Sequence, residues 1–476
     1  MPKITKRRFL ALGMFSGMLT SPLLRKSAWA ANRPPGKGRL LQGPMTGAVS
    51  PDSIKIWLRV SDSFDVAIAY GRTPDLVDAK TSVTARPSRD QDYAAVLSLE
   101  GLRPNTAYYY RVLVDGEPDP YAKARPFRFK TAPKANEDIT FSVAIGSCAR
   151  YAADPVQPIW NSVDRYDPDL FFWMGDNIYG DSGSTATLAD EYKRQRSVGT
   201  YQAVASRIPQ LAIWDDHDYA FNNSDRTNPI KAEALQIFRK YWANPAYGAD
   251  GVPGVFFDYT YGGVDFFFLD VRYHRHPNDD PDRPGKSMLG MEQLEWLKER
   301  LASSNAPFKV LLSGSGWTKA KGPGGDSWAS FIAERDELFE FIRQNSVGGV
   351  VLCSGDTHVA ELNAIPWSEK GGYDFYDLVS SPLAQTPSLS WLDRKPEMRI
   401  RQAFAGSPNF GLLTFRMQPE PVLSYNVINQ LGEAVWPRFE ILASELRNGK
   451  DTALRKMDDL SRTRFLRAKK GEPYYQ

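Results

Sequence analysis

The fold class follows most directly from residues 170–179, which read LFFWMGDNIY. An unbroken apolar run that stops at Gly175 and Asp176 is typical of a buried β-strand ending in a polar loop. Such a strand is expected over residues 169–174. Because the run is apolar on both faces, the strand needs covering layers on both sides, which favours an α/β layered domain.

The same pattern recurs along the chain. Further apolar runs stop at Gly, Asp, His or Cys, and they cover residues 139–145, 211–214, 265–269, 309–312 and 350–353. Helical patterns lie between them at 291–303 and 328–345. Ligand sites of α/β sheets form outside the carboxyl ends of strands, so we expect these polar ends to converge on one site in a domain spanning residues 138–446.

The residues before this domain follow a different sequence pattern. Residues 53–60 and 66–70 alternate polar and apolar side chains, and GLRPNT at 101–106 is a clear turn before another strand pattern. Residues 40–133 therefore resemble a fibronectin type III-like β-sandwich, placed as packing support for the next domain or, alternatively, as a carbohydrate or wall-binding unit.

The N-terminus reads as an export signal over residues 1–30. A basic start is followed by a mostly apolar stretch, 9–24, which is shorter than the ~20 residues of a spanning helix. Ala28 and Ala30 then provide small residues for cleavage. The pair Arg7-Arg8 favours a twin-arginine signal recognised by export machinery, the alternatives being a Sec signal or an uncleaved anchor. The expected location is periplasmic or secreted, with no transmembrane segment after cleavage.

Composition and charge indicate a globular protein and give no support for a disordered or nucleic-acid-binding one. With 42% hydrophobic and 24% charged residues, the chain is globular. Residues 1–30 carry only basic charges, at Lys3, Lys6, Arg7, Arg8, Arg25 and Lys26, so their removal changes the formal net charge from +3 to −3. A mildly acidic mature protein gives no support for specific nucleic-acid binding.

The residues at the converging strand ends are of the types that bind metal ions. The candidate donors are the carboxylates Asp176, Asp215, Asp216 and Asp356, the amide of Asn222 or Asn223, His358, Cys148 and Tyr179. Several carboxylates held together repel one another unless cations neutralise them, which indicates a multinuclear metal site. Thiolate and phenolate beside imidazole and carboxylate suit Fe³⁺ next to harder ions such as Ca²⁺, other divalent metals being alternatives.

Five short motifs follow one another along the chain: SC at 147–148, GDNIY at 175–179, WDDHD at 214–218, LDVR at 269–272 and SGDTHVAEL at 354–362. Together they resemble the alkaline phosphatase D (PhoD-like) family from about residue 43 to about residue 446. The resemblance implies a layered metallophosphoesterase-type β-sandwich flanked by helices. It further implies an enzyme that hydrolyses phosphate mono- or diesters by a metal-activated hydroxide.

The resemblance also implies how the ligands are divided. Iron would be held by Cys148, Asp176, Tyr179 and His358, with Asp176 bridging to calcium. Calcium ligands would come from the pair Asp215 and Asp216, from Asn222 and from Asp356, and the sequence does not decide between the two adjacent aspartates.

Two further residues are catalytic candidates. His217 matches the position that contacts substrate and protonates the leaving group, the alternative being a histidine that orients a carboxylate. Arg272 offers a planar fork for a phosphate oxygen, the alternative being a structural ion pair. Cys353 lies in an apolar strand and is expected in the core, and a disulfide to Cys148 would destroy the proposed iron site.

Substrate class stays open at this stage. The expected partner is a phosphate ester: a small molecule, a phospholipid head group or a wall polymer. The alternatives are a phospholipase D-like or pyrophosphatase activity on the same scaffold, and a non-enzymatic surface-binding protein with a structural metal site. Residues 447–476 form a charged helical tail, either solvated or capping the site.

Overall fold

The computed structural model describes residues 40–120, 126–135, 137–249 and 251–470. The expected export signal at residues 1–30 lies outside this part. Within the described ranges, every helix is too short or too polar to cross a bilayer.

The N-terminal domain is a sandwich of two antiparallel sheets, as predicted. Its strands are β1 (Leu40–Val49), β2 (Ile54–Val60), β3 (Val66–Gly71), β4 (Lys80–Thr81), β5 (Ala94–Leu99), β6 (Ala107–Val114), β7 (Glu117–Pro118) and β8 (Phe127–Lys130). One sheet has the order β1-β2-β5, and the other has the order β4-β3-β6-β7 with β8 paired to β6. Buried residues of both sheets, such as Ile56 and Val112, share one apolar core.

Buried polar contacts join this domain to the next one. The Trp57 indole donates to the Lys240 carbonyl at 2.7 Å, and the Thr46 hydroxyl donates to the Ala205 carbonyl at 3.1 Å. The buried guanidinium of Arg196 lies 5.8 Å from the ring centroid of Trp57. These contacts hold the N-terminal domain against the next one, which favours packing support over a free wall-binding surface.

The second domain follows the predicted α/β rhythm. Its strands are β9 (Thr140–Gly146), β10 (Leu170–Met174), β11 (Gln210–Ile213), β12 (Phe257–Tyr261), β13 (Val264–Phe268), β14 (Lys309–Ser313), β15 (Val350–Ser354), β16 (Ala360–Ile365), β17 (Phe375–Val379), β18 (Met398–Phe404), β19 (Asn409–Arg416), β20 (Val422–Asn429) and β21 (Phe439–Leu442). Its helices are α1 (Ile159–Tyr166), α2 (Thr185–Arg196), α3 (Gly199–Ala205), α4 (Asp216–Tyr219), α5 (Lys231–Tyr241), α6 (Met291–Ser303), α7 (Ile332–Gln344), α8 (Ala453–Lys456) and α9 (Asp459–Lys469). The helix predicted at 328–345 divides into a 3₁₀ turn, Trp328–Ser330, and α7.

Two mixed sheets form the centre of this domain. One has the order β11-β10-β9-β19-β20-β21, with β9, β10 and β11 parallel. The other has the order β12-β13-β14-β15-β17-β16-β18, with β13, β14, β15 and β17 parallel. Aromatic rings fill the space between them: Phe172 of β10 lies 5.0 Å from Phe266 and 4.9 Å from Phe268 of β13. The layered α/β prediction is therefore confirmed.

The carboxyl ends of the central strands meet at one edge of the sandwich. The Cys148 amide, after β9, donates to the Gly175 carbonyl after β10 at 3.3 Å. A Cβ on Gly355, after β15 of the other sheet, would lie only 2.5 Å from the Ser147 hydroxyl. Glycine permits this close approach. The ends of both sheets thus contact each other and bring their polar loops together.

The C-terminal tail packs along the edge strand β18. The Asp458 amide donates to the Ile400 carbonyl at 3.2 Å, and Gln402 donates to the buried hydroxyl of Ser461 at 2.9 Å. Covering an edge strand with a helix protects its backbone groups from pairing with other chains. In the described part of the tail, residues 447–470, these contacts hold one side of the helix on the sheet, while most of the side chains of α9 are exposed.

Candidate metal centre

The loops at the strand ends place four predicted ligands on left-handed backbone. The φ angles are 61° at Cys148, 50° at Asp176, 70° at Asp356 and 54° at His358. Positive φ is uncommon for residues other than glycine, and such residues cluster at functional sites because the surrounding structure must hold them there. The sharp turns direct these side chains toward the space between the strand ends.

One group of ligands forms around Asp176, Cys148 and His358, whose donor atoms all lie within 4.8 Å of one another. The Cys148 sulfur is 3.3 Å from Asp176 Oδ2. Tyr179 Oη is 3.0 Å from His358 Nε2 and 3.5 Å from Asp176 Oδ2. The four residues that the family resemblance assigns to iron therefore lie side by side.

A second group consists of Asp176, Asp216 and His217, again with donor atoms within 4.8 Å of one another. Asp176 belongs to both groups. A carboxylate shared in this way is suited to bridge two metal ions about 3.5–4 Å apart, as in two-metal phosphatase sites.

The donor set fits metal ions better than it fits any metal-free state. Asp176 is buried, and its Oδ1 has no hydrogen-bond partner among the described residues. Burial, with the neighbouring Cys148 and Asp216, raises the pKa of the Asp176 carboxyl well above its usual range. Burial also raises the pKa of the Cys148 thiol to about 11 and that of the Tyr179 phenol well above 10. A bound cation supplies the positive charge that ionises such groups.

The two histidines differ in protonation. Burial lowers the pKa of His358 to about 4, with His217 adding to the effect, so its imidazole is neutral as a metal ligand requires. Burial also opposes the charge on His217, but Asp176 and Asp181 outweigh it and raise its pKa to about 10. His217 Nδ1 pairs with the Asp181 carboxylate, and its ring stacks on Tyr179 with centroids 4.2 Å apart.

Arg272 is fully buried and surrounded by carboxylates. Its two terminal nitrogens contact Asp326 at 2.7 and 3.0 Å, and its Nε pairs with Asp215. The guanidinium is thereby committed to ion pairs, which supports the structural alternative over a phosphate clamp. Asp215 keeps one buried oxygen, Oδ2, without a partner in the described structure. Asp216 accepts backbone hydrogen bonds at both oxygens, yet it is the aspartate of the pair that belongs to the second group of ligand atoms.

Asp356, Asn222 and Cys353 differ from one another in their surroundings. Asp356 pairs with the Lys321 ammonium at the edge of the site. Asn222 is exposed, and the neighbouring Asn223 makes the observed contact, donating its backbone N–H to Asp216 Oδ2 at 2.7 Å. Cys353 is buried in β15, and both cysteines are free thiols, so the disulfide alternative is wrong.

Three residues of the site were missed by the sequence interpretation: Asp181, Lys321 and Asp326. Asp181 follows Tyr179 closely enough that the GDNIY motif could have been extended to include it. Lys321 and Asp326 lie in the loop AKGPGGDS, which has no periodicity that predicts its position.

Comparisons with known proteins agree with this geometry. Residues 142–402 match the model of the PhoD-like phosphatase family, and residues 26–133 match the model of its N-terminal domain. Alkaline phosphatase D of Bacillus subtilis (strain 168) is 26% identical over 384 residues, which cover 67% of this chain and 64% of the relative. The chain therefore spans less than two thirds of that relative's length.

Two solved structures share the fold. The structure of PhoD has a TM-score of 0.70 at 19% identity, covering 92% of this chain and 98% of that chain. The purple acid phosphatase PPD1 from yellow lupin (Lupinus luteus) seeds has a TM-score of 0.61 at 14% identity, covering 85% and 75%. At these low identities, both matches show that the chain shares the fold of these proteins.

Proposed function

The chain belongs to the PhoD-like phosphatase family, and from this premise we propose that it hydrolyses phosphate mono- or diesters at the metal centre around Asp176. The observation that carries the proposal is the buried Oδ1 of Asp176, which has no hydrogen-bond partner in the described part of the chain. Asp176 is also shared between two groups of ligand atoms. An isolated buried carboxylate is costly, and a bridging role between cations removes that cost.

The ligand types support an iron–calcium centre. We assign Fe³⁺ to Cys148, Asp176, Tyr179 and His358, because thiolate, phenolate and imidazole favour a transition metal over a hard alkaline-earth ion. Ca²⁺ prefers oxygen donors, and the candidates are Asp176, Asp215 or Asp216, Asn222 and Asp356. When bound, the ions supply activation of a water molecule and neutralisation of charge on the phosphoryl oxygens.

The chain's own residues supply proton transfer and orientation. The Asp181 carboxylate occupies Nδ1 of His217, which leaves Nε2 to donate a proton to the leaving-group oxygen. Arg272 and Asp326 hold Asp215 in place. Fixed side chains of this kind reduce the reorganisation needed during the reaction.

Location and natural substrate are part of the proposal. The basic and apolar pattern of residues 1–30 supports export, with a twin-arginine signal, to the periplasm or the medium. Small phosphate esters, phospholipid head groups and wall polymers all present the phosphoryl group that this site is suited to bind.

A substrate panel with metal-stripped and reloaded protein tests the proposal. Chelation is expected to lower hydrolysis of p-nitrophenyl phosphate and bis-p-nitrophenyl phosphate by about 1,000-fold, because metal ions provide several kcal/mol of charge stabilisation. Re-addition of Fe³⁺ and Ca²⁺ restores it. The panel also contains pyrophosphate and phosphatidylcholine, and protein incubated with buffer alone is the control.

Three results contradict the proposal. Preferential cleavage of pyrophosphate indicates a pyrophosphatase, and release of free choline indicates a phospholipase D-like enzyme. Full metal content without hydrolysis of any ester indicates a structural metal site in a non-enzymatic protein.

A further inference from the structure

Positive charges around the metal centre are mostly committed to carboxylates. Arg272 and Arg275 are buried and pair with Asp326, and Lys321 pairs with Asp356. A guanidinium that is already held in this way gains little by contacting a substrate, since it would first have to break an ion pair.

Arg150 differs from these residues. Its side chain is exposed, and among the described residues no carboxylate lies within ion-pair distance of its guanidinium. The guanidinium carbon lies 5.4 Å from the ring centroid of Tyr179, one of the proposed iron ligands. Arg150, which has no ion pair within the described ranges, therefore lies exposed beside the metal centre.

The backbone under Arg150 is firmly held. The Ala149 amide donates to the Asp176 carbonyl and the Arg150 amide donates to the Ala384 carbonyl, both at 2.9 Å. The Ala384 amide returns a hydrogen bond to the Cys148 carbonyl at 3.1 Å. The segment is thus clamped between two neighbouring loops, and only the side chain of Arg150 has freedom to reach a ligand.

We propose that Arg150 binds a non-bridging oxygen of the substrate's phosphoryl group, and this inference rests on the proposed function. A guanidinium presents two parallel N–H groups that match two oxygens of a phosphate, and such charge-assisted hydrogen bonds are the strong ones. The tyrosine ring restricts where the guanidinium lies, so less side-chain freedom is lost on binding.

Substrate charge makes the inference more specific. A phosphate monoester carries close to two negative charges at alkaline pH, whereas a diester carries one. Arg150 is therefore a specificity residue that favours monoesters, and its removal affects monoesters more than diesters.

Kinetics and phosphate binding with matched variants test this role. Arg150→Ala is expected to raise the KM for p-nitrophenyl phosphate and the Kd for inorganic phosphate by about 10- to 100-fold, the range for a hydrogen bond to a charged group. The value of kcat and the KM for bis-p-nitrophenyl phosphate change less. Arg150→Lys is expected to give values between those of the unmodified protein and Arg150→Ala, because lysine keeps the positive charge but lacks the two parallel N–H groups of the guanidinium. Arg86→Ala, an exposed residue of the N-terminal domain, makes the same change of charge and leaves all values unchanged.

Two results overturn the inference. One is an unchanged Kd for inorganic phosphate in Arg150→Ala with full metal content. The other is loss of metal from Arg150→Ala, which assigns the residue to positioning Cys148. If the unmodified protein hydrolyses no ester, the proposed function fails, and phosphate binding by the same variants still decides the role of Arg150.

Discussion

Asp176→Asn is expected to lower phosphate ester turnover by about 1,000-fold or more and to remove most of the bound metal. The residue belongs to both groups of ligand atoms, so one substitution weakens both proposed ions. An amide cannot bridge two cations as a carboxylate does, and the loss corresponds to the several kcal/mol that metal ions contribute to phosphoryl transfer. Initial rates and elemental metal analysis of the purified variant measure the effect.

Stability in chelator separates this effect from misfolding. Without metal, the Asp176 carboxyl is buried beside Cys148 and Asp216, which raises its pKa and disfavours its charge. The amide removes that unfavourable charge, so the metal-free variant is expected to melt at or above the temperature of the metal-free parent. A variant that keeps its metal and its turnover would show that Asp176 is not the bridging residue.

Gly175→Ala is expected to abolish activity and to lower the free energy of unfolding by more than an alanine substitution at any exposed glycine. Gly175 has a φ of +85°, and a Cβ there would lie 2.6 Å from Asp215 Cβ and 2.9 Å from the Asp215 amide nitrogen. The backbone must shift, which displaces Asp176 on one side and Asp215 on the other. Overpacking of this kind costs about 1–3 kcal/mol, in addition to about 1–2 kcal/mol for the left-handed conformation.

Gly449→Ala is the matched control. Gly449 has a similar φ of +79°, but a Cβ there would meet no atom within 4 Å. Gly449→Ala is expected to lower stability only by the cost of the left-handed conformation, about 1–2 kcal/mol, with activity unchanged. Thermal melting and turnover of both variants measure the difference. Equal losses in the two variants would show that close packing at Gly175 is not what holds the metal loops.

The sequence predicts the parallel strands of the second domain well. The run at 169–174 becomes β10 (Leu170–Met174), and the apolar periodicity at 291–303 becomes α6 with the same bounds. These segments are long enough, or apolar enough, for local pattern to dominate. Strand β18 (Met398–Phe404) was not predicted, because the apolar alternation of MRIR at 398–401 is short and breaks at Gln402. Its conformation depends on pairing with β16, which is distant in sequence.

The ligands were predictable to the extent that they follow strand ends. Cys148, Asp176 and His358 each come directly after or close to an apolar run, and the structure brings them together. The charges around Arg272 were not predictable, because Asp326 comes from an irregular loop whose position depends on tertiary packing. The resemblance to the PhoD-like family, stated from motifs, is confirmed by the family models.

Metal content and the visible spectrum of the purified protein, beside Tyr179→Phe, test the central claim most directly. A phenolate bound to Fe³⁺ gives a charge-transfer band, and removal of the phenol oxygen abolishes it while the remaining proposed iron ligands stay in place. We predict bound iron and calcium with a visible band that disappears in Tyr179→Phe. A colourless protein that contains neither metal, or only zinc, would contradict the proposed iron–calcium centre.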